Sequence, residues 1–531
     1  MTALAGTGGL VRLVLRRDRF ILPVWVLLLG IIPMQYGVAI DGLLPTEAAR
    51  EEYLRSIVGS PGLLALLGPA FNASLGALAA WRAGFLLVIV GLASLLTVIR
   101  HTRTDEEAGR RELLGSTVVG RHAPLAAALL VTVAADLVLG AIAAAGLLAL
   151  GLPAVGAAAF GLGMAAVGWV FAAIGAVAAQ LTEGAGAARG LAAGALGAAF
   201  LLRAAGDSVP GGSASWLTWL SPIGWSQQLR AFAGERWWVA ALSVGLAAVA
   251  GAAAVALSAR RDAGAGVVVP RSGPAAAAPG LRSPVALAWR LHRGMLVGWT
   301  AGLAVGGVVI GSVVDSTTDM AAESTQIRDI LQRIGGAQSL ADAFLSTTGG
   351  FVALVVAGYA VQATLRLRAE EDGLRAEPVL ATATGRVSWA ASHLVFGALG
   401  PALALAAFGL AAGLTYGAIA GDVGGQLPRA LGGAMVQLPA VWVLGGIAAA
   451  LFGLVPRLAQ LTWALLGAFV LIGLLGPLMR LSQSVMDLSP FTHVPRIPGG
   501  ELAVPPLAWL VAVAAALVAA GLAAFRRRDV G

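Results

Sequence analysis

The chain has 531 residues, of which 58% are hydrophobic and only 12% charged, against roughly 25% charged residues in soluble domains. With a mean hydropathy of +0.85, no soluble core could absorb this much apolar surface, so the composition points to a lipid-embedded bundle. The net charge of +8 comes from arginine alone, since no lysine is present; these arginines sit at the ends of apolar stretches rather than on one soluble face, which argues against nucleic acid as a partner.

Twelve apolar stretches approach the length of about 20 residues needed to cross a bilayer. They are predicted near 20–40, 81–99, 123–150, 154–180, 189–206, 237–257, 294–314, 348–366, 389–418, 430–455, 459–479 and 504–524. Cytoplasmic flanks of spans retain basic residues. With both termini inside, the inner segments hold 24 arginines, including Arg12, Arg16, Arg17 and Arg19 at the start and Arg526, Arg527 and Arg528 at the end, and the outer side holds 11. Both termini are therefore expected in the cytoplasm.

Arg17 to Ile32 has the basic-then-apolar order of a signal peptide, but the apolar run continues to about Ile40 without a small-residue cleavage site, so an uncleaved first span is expected. In the outer loop that follows, Tyr53, Leu54, Ile57 and Val58 recur at helical spacing and stop at Gly59-Ser60-Pro61, which predicts an amphipathic helix on the outer leaflet or a lid over an exit path. After the second stretch comes an acid-rich inner loop, Arg103-Thr104-Asp105-Glu106-Glu107-Ala108-Gly109-Arg110-Arg111-Glu112. On a short helix it would pair Glu106 with Arg110 and Glu107 with Arg111. The reading is a docking element for an external motor.

Within the third stretch, Asp136 is the outstanding ionisable residue, because an acid inside a bilayer is costly and faces a partner or a wet cavity. Glu183 and Arg189 bracket a glycine-rich inner loop as a solvated or coupling-adjacent pair. Gly186, Gly190 and Gly194, and later Gly409, Gly413, Gly417 and Gly421, repeat at four-residue steps that suit close helix packing. Ser221-Pro222-Ile223-Gly224-Trp225 precedes the sixth stretch, where Pro and Gly favour a turn or re-entrant helix and Trp219 and Trp225 suit the interface. Residues 263–284, rich in Pro, Gly and Ala, read as a flexible cytoplasmic linker.

The second part of the chain repeats the first. A second outer amphipathic segment carries Ile327, Ile330, Leu331 and Ile334, stopped at Gly335-Gly336, and a second acid-rich loop runs Arg368-Ala369-Glu370-Glu371-Asp372-Gly373-Leu374-Arg375-Ala376-Glu377. Glu112, Thr117 and Arg121 recur 265 residues later as Glu377, Thr382 and Arg386. Arg260-Arg261-Asp262 returns as Arg527-Arg528-Asp529, and the Ser221 segment as Ser489-Pro490-Phe491-Thr492-His493. The second acid loop reads as carrying one extra residue, Leu374, and Pro378 in place of Leu113. Asp136 has no acidic counterpart, its place falling near Pro401. The expected fold is an all-α polytopic membrane protein of two tandem, parallel six-helix repeats, residues 1–262 and 285–531, joined by the linker.

Chemistry within the chain is largely excluded. It has no cysteine, hence no disulfide, thiolate metal site or cysteine nucleophile. A P-loop needs a lysine to reach the phosphates, and none exists; no G-x-S-x-G or H-E-x-x-H motif appears, and five histidines are scattered. A transport subunit without enzyme site, cofactor or metal is expected.

The Glu-Glu-x-Gly-Arg-x-Glu-Leu-Leu loop with its later Thr-x-x-Gly-Arg, the Leu220 to Trp225 segment, and Leu488-Ser489-Pro490-Phe491-Thr492-His493-Val494-Pro495 together resemble the actinobacterial ABC type 2 exporter permeases. More narrowly, the chain is similar to twelve-span polyketide antibiotic or multidrug exporters of the tetronasin-transport type. The resemblance implies a multi-pass permease of the bacterial plasma membrane. Two copies of a separately encoded ATPase, carrying ATP and Mg, would dock on coupling helices that map to Asp105, Glu106, Glu107, Arg110, Arg111 and Glu112 and to Glu370, Glu371, Asp372, Arg375 and Glu377. It also implies that Ser221, Pro222, Trp225, Ser489 and Pro490 border the outer exit for a hydrophobic or amphipathic cargo. A proton-coupled exporter using Asp136 is the alternative, and a non-pumping structural membrane protein the third reading.

Overall fold

A computed structural model describes residues 3–115, 117–208, 215–262, 264–268, 273, 275–278, 280–323, 340–475 and 482–529. All regular structure among them is helical, and the chain divides into two compact units, Met1–Gly273 and Pro274–Gly531. The second outer amphipathic segment, with Ile327 to Gly336, lies outside the described residues.

The first unit contains α1 (Ile21–Leu43), α2 (Leu86–Ile99), α3 (Ala123–Ala149), α4 (Ala154–Leu181), α5 (Ala185–Ser208) and α6 (Trp238–Ala259). α4 is its centre: 78% of its apolar window is buried inside the protein, against 17% for α6. Alanine and glycine make this possible, because a helix with small side chains can be approached from several sides. Gly140 of α3 and Gly161 of α4 meet so closely that a Cβ on either would collide with the other's carbonyl oxygen. The expected helix after α1 is present as Glu47–Val58, capped by Thr46, whose Oγ1 accepts from Ala49 N at 3.2 Å. Tyr53 packs edge-on against Trp81 and Ile57 is fully buried, so this helix lies on the bundle.

The second unit contains α7 (Pro284–Glu323), α8 (Leu340–Asp372), α9 (Arg386–Ile419), α10 (Leu438–Leu454), α11 (Leu461–Leu475) and α12 (Val504–Arg527). Packing follows the same order in each unit: α1 on α3, α2 on α4, α3 on α4 and α4 on α6 in the first; α7 on α9, α8 on α10, α9 on α10 and α10 on α12 in the second. The fourth element differs. α4 is unbroken, whereas α10 is preceded by a separate helix, Val423–Met435, and Pro439 sits in its first turn, where proline lacks the N–H that would bond the preceding turn.

Among the described residues, eleven helices are long and apolar enough to cross a membrane. They coincide with eleven of the predicted stretches. The remaining one, 459–479, is helical over Leu461–Leu475, and 476–481 lie outside the described residues. Of the two glycine repeats, one packs as expected over three of its four members: Cβ atoms at Gly409, Gly413 and Gly417 would lie 2.8, 2.7 and 2.6 Å from the Cα atoms of Leu431, Leu427 and Val423, while one at Gly421 would meet no atom within 4 Å. The other requires a correction. Gly186, Gly190 and Gly194 face away from their own unit, with no atom within 4 Å of a Cβ there.

Candidate functional site

Both acid-rich loops form at the end of a long helix. In the first unit, α2 continues through a wider turn, Arg100–Thr104, into Asp105–Glu107, turns at Gly109 (φ +71°) and resumes as Arg110–Gly115. Glu106 points inward and is buried. Its carboxylate receives a two-pronged contact from Arg261, 2.8 Å on each oxygen, the Gly264 N–H at 2.7 Å, and the Arg103 and Arg111 guanidiniums at 3.0 Å each. The fork geometry makes the Arg261 contact the strong one. Arg103 also donates to the Thr182 and Ala265 carbonyls, so one carboxylate ties the loop to the ends of α4 and α6. The expected pairs Glu106 with Arg110 and Glu107 with Arg111 do not form. Arg110 instead bonds Asp105 at 2.8 Å, which also holds Arg17 at 2.6 Å, and Glu107 accepts from the Ala185 N–H at the start of α5, where a helix favours negative charge. Arg189 reaches Thr104 Oγ1 at 3.0 Å rather than Glu183.

In the second unit the same contacts recur, 265 residues on for the loop and 267 for the arginine that closes on it. Glu371 pairs with Arg528, beyond the end of α12, and with Arg368 at 3.5 Å, as Glu106 does with Arg261 and Arg103. Glu370 holds Arg375 at 2.7 Å, as Asp105 holds Arg110, and also Arg366 at 2.8 Å. Asp372 pairs with Arg368 at 2.7 Å. Arg386 donates to the Arg528 carbonyl at 2.7 Å and Arg121 to the Ala259 carbonyl at 2.8 Å. The Leu374 N–H bonds the Glu371 carbonyl as the Gly109 N–H bonds that of Glu106, and Leu374 has φ +55°. Leu374 therefore occupies the place of Gly109, and no extra residue is present. Glu112 and Glu377, again 265 apart, both lie exposed on the loop surface. Among the described residues no group of three His, Asp or Glu could hold a metal ion.

Over 99% of its length the chain is 49% identical to the multidrug efflux system permease protein Rv1217c of Mycobacterium tuberculosis (strain ATCC 25618 / H37Rv), covering 95% of that protein. The chain belongs to the multidrug efflux permease family. Residues 281–526 also match the family model for the C-terminal domain of multidrug efflux system permease Rv1217c. The permease is thus a multi-pass membrane protein and a transport subunit.

The remaining predicted site residues of the permease are dispersed. Asp136 is fully buried between α2, α3 and α4; the Ser94 hydroxyl donates to its Oδ1 at 2.7 Å, Oδ2 has no partner, and Gly168 leaves it room. Ser221 is buried, donates to the Ala199 carbonyl at 2.7 Å and caps the short helix Pro222–Gln228, while Trp225 Nε1 donates to the Trp219 carbonyl. In the second unit Ser489 lines a cavity of about 430 Å³ and Pro490 is buried beside it.

Sequence reasoning missed the partners. Arg261 and Arg528 were visible as repeat markers, yet only folding brings them to Glu106 and Glu371, 155 and 157 residues away. Nothing in the sequence signalled that buried Arg203 would donate to the Leu64 and Leu66 carbonyls at 3.2 and 3.1 Å, or that His292 and His393 would meet at 3.0 Å.

Proposed function

We propose that this chain is the membrane subunit of an ATP-driven efflux pump in the bacterial plasma membrane, with both termini in the cytoplasm and two tandem six-helix repeats, including α11 as a span. Two copies of a separate ATPase, which supply ATP and Mg, dock on the two acid-rich loops. The observation that carries this reading is the matched pair of exposed acids, Glu112 and Glu377, each on a loop tied by an inward-facing acid, Glu106 or Glu371, to the arginine at the end of its unit's last helix. A loop fixed in this way transmits a push to the last helix instead of flexing, which suits rocking of repeats about a central path. The arginine excess on the proposed inner side supports the orientation. The Mycobacterium tuberculosis relative is a multidrug efflux system permease protein, and the resemblance to the tetronasin-transport type suggests hydrophobic polyketides among the cargo.

Glu112→Arg combined with Glu377→Arg tests docking without touching the buried contacts. Copurification of the ATPase is expected to be lost while the permease keeps its thermal stability; retention of two ATPase copies would overturn the assignment. A proton-coupled exporter is the second reading, favoured by the unpartnered Asp136 oxygen. Transport by purified permease without any ATPase, abolished by Asp136→Asn, would establish it.

A further inference from the structure

The cavity in the second unit carries a more specific proposal. It lies between the start of α8, the break before α10, α11 and the segment Ser489 to Gly499. Ser346 and Glu371 are 25 positions apart on α8, so at 1.5 Å per residue the cavity is about 37 Å from the charged loop. Its origin can be read from the 265-residue register. Trp81, Arg82 and Phe85 in the first unit correspond to Ser346, Thr347 and Gly350 in the second; Trp81 is buried beside the comparable pocket, so its exchange for Ser346 opens space there, while Arg82 and Phe85 face outward. The comparable first-unit pocket, bordered by Trp81, holds only about 40 Å³.

The walls include Phe351, Phe469 and Phe491, with hydroxyls from Ser346 and Thr347. Gln437, exposed by the break before α10, lines the cavity at 6% exposure, and its Oε1 has no hydrogen-bond partner. A buried amide oxygen left unpaired is costly, so the site is built for a hydrogen-bond donor. Among the described residues no carboxylate lines it and Arg496 is the one charged side chain, a lining that disfavours a cation. Its volume is within the range of drug-sized sites.

We propose that this cavity binds an uncharged amphiphile carrying an N–H or O–H group, whose donor reaches Gln437 and whose rings lie against the three phenylalanines. That the bound molecule is cargo rests on the export reading above. Gly350→Phe restores the residue type of the first unit, and a Cβ at Gly350 would have no atom within 4 Å, so the ring fills space without displacing backbone. Gln437→Leu removes the acceptor at nearly constant volume.

The test uses full-length permease in phosphatidylcholine nanodiscs, titrated with N-phenyl-1-naphthylamine, an uncharged aromatic amine, against empty nanodiscs. The saturable fluorescence rise is expected to disappear in Gly350→Phe, to shift about tenfold to weaker binding in Gln437→Leu, and to resist competition by the tetraphenylphosphonium cation. No saturable rise with the parent chain, or unchanged binding in Gln437→Leu and in a Gly350→Phe sample that elutes as folded protein, overturns the proposal. Efflux is scored separately in cells carrying the ATPase. Its absence with the parent chain defeats the export reading and leaves the binding result standing; its persistence in variants that no longer bind removes the cavity from the transport path.

Discussion

In the first half Glu106 holds Arg103, Arg111 and Arg261, and the far end is packed by Trp81 and Arg203; in the second, Glu371 holds Arg368 and Arg528, and the far end opens into a cavity. Inside the bundle the halves differ again. Ser94 with Asp136 in the first is matched, 265 residues on, by Tyr359 and Pro401 in the second, with Tyr359 lying against Gly400. The charged ends kept their contacts because a buried carboxylate cannot lose its cations without a large penalty. A helix face bordering open space carries no such constraint, so the bulk of Trp81 could give way to Ser346.

The comparison breaks most visibly at Glu106. Glu106→Ala strands the buried guanidiniums of Arg103 and Arg261 along with the partly exposed Arg111, and a loss of about 3–5 kcal/mol is expected, read as failure to recover folded permease after mild heating in detergent. Glu371→Ala should cost less, about 1–3 kcal/mol, because two arginines rather than three depend on it; equal losses would show that the two contacts are energetically equivalent. Arg203→Met should cost about 1–3 kcal/mol in the same assay, since the Leu64 and Leu66 carbonyls and Asp207 lose their donor. A smaller effect of opposite sign is expected at the turn: Leu374→Gly places the residue of the first loop at φ +55° and should stabilise by up to about 1 kcal/mol, whereas a lower melting temperature would mean that the Leu374 side chain contributes packing.

Much of the fold was legible. Apolar run length located eleven helices long enough to cross a membrane, and the helix after α1 ends at Gly59, where the spacing and the Gly59-Ser60-Pro61 stop implied. The acid-rich loops were recognised, but their pairing was not. An i,i+4 rule counts neighbours on one helix, and here the chain turns at Gly109 and Leu374 instead of continuing. The two glycine repeats look alike in sequence, yet only Gly409, Gly413 and Gly417 meet another helix, because spacing describes a face and not what lies opposite it.

The amino-acid sequence by itself determined that this chain is an apolar membrane bundle without lysine or cysteine, in which charged motifs recur at a 265-residue offset. Composition, run length and the 265-residue offset are properties of the chain alone. Tertiary structure alone decided that Glu106 and Glu371 turn inward onto Arg261 and Arg528, that Asp136 meets Ser94, and that Gln437 borders a cavity. Those contacts join residues far apart in the chain, and which acid finds a cation or which amide stays unpaired depends on how helices pack, a choice that leaves no local period to read.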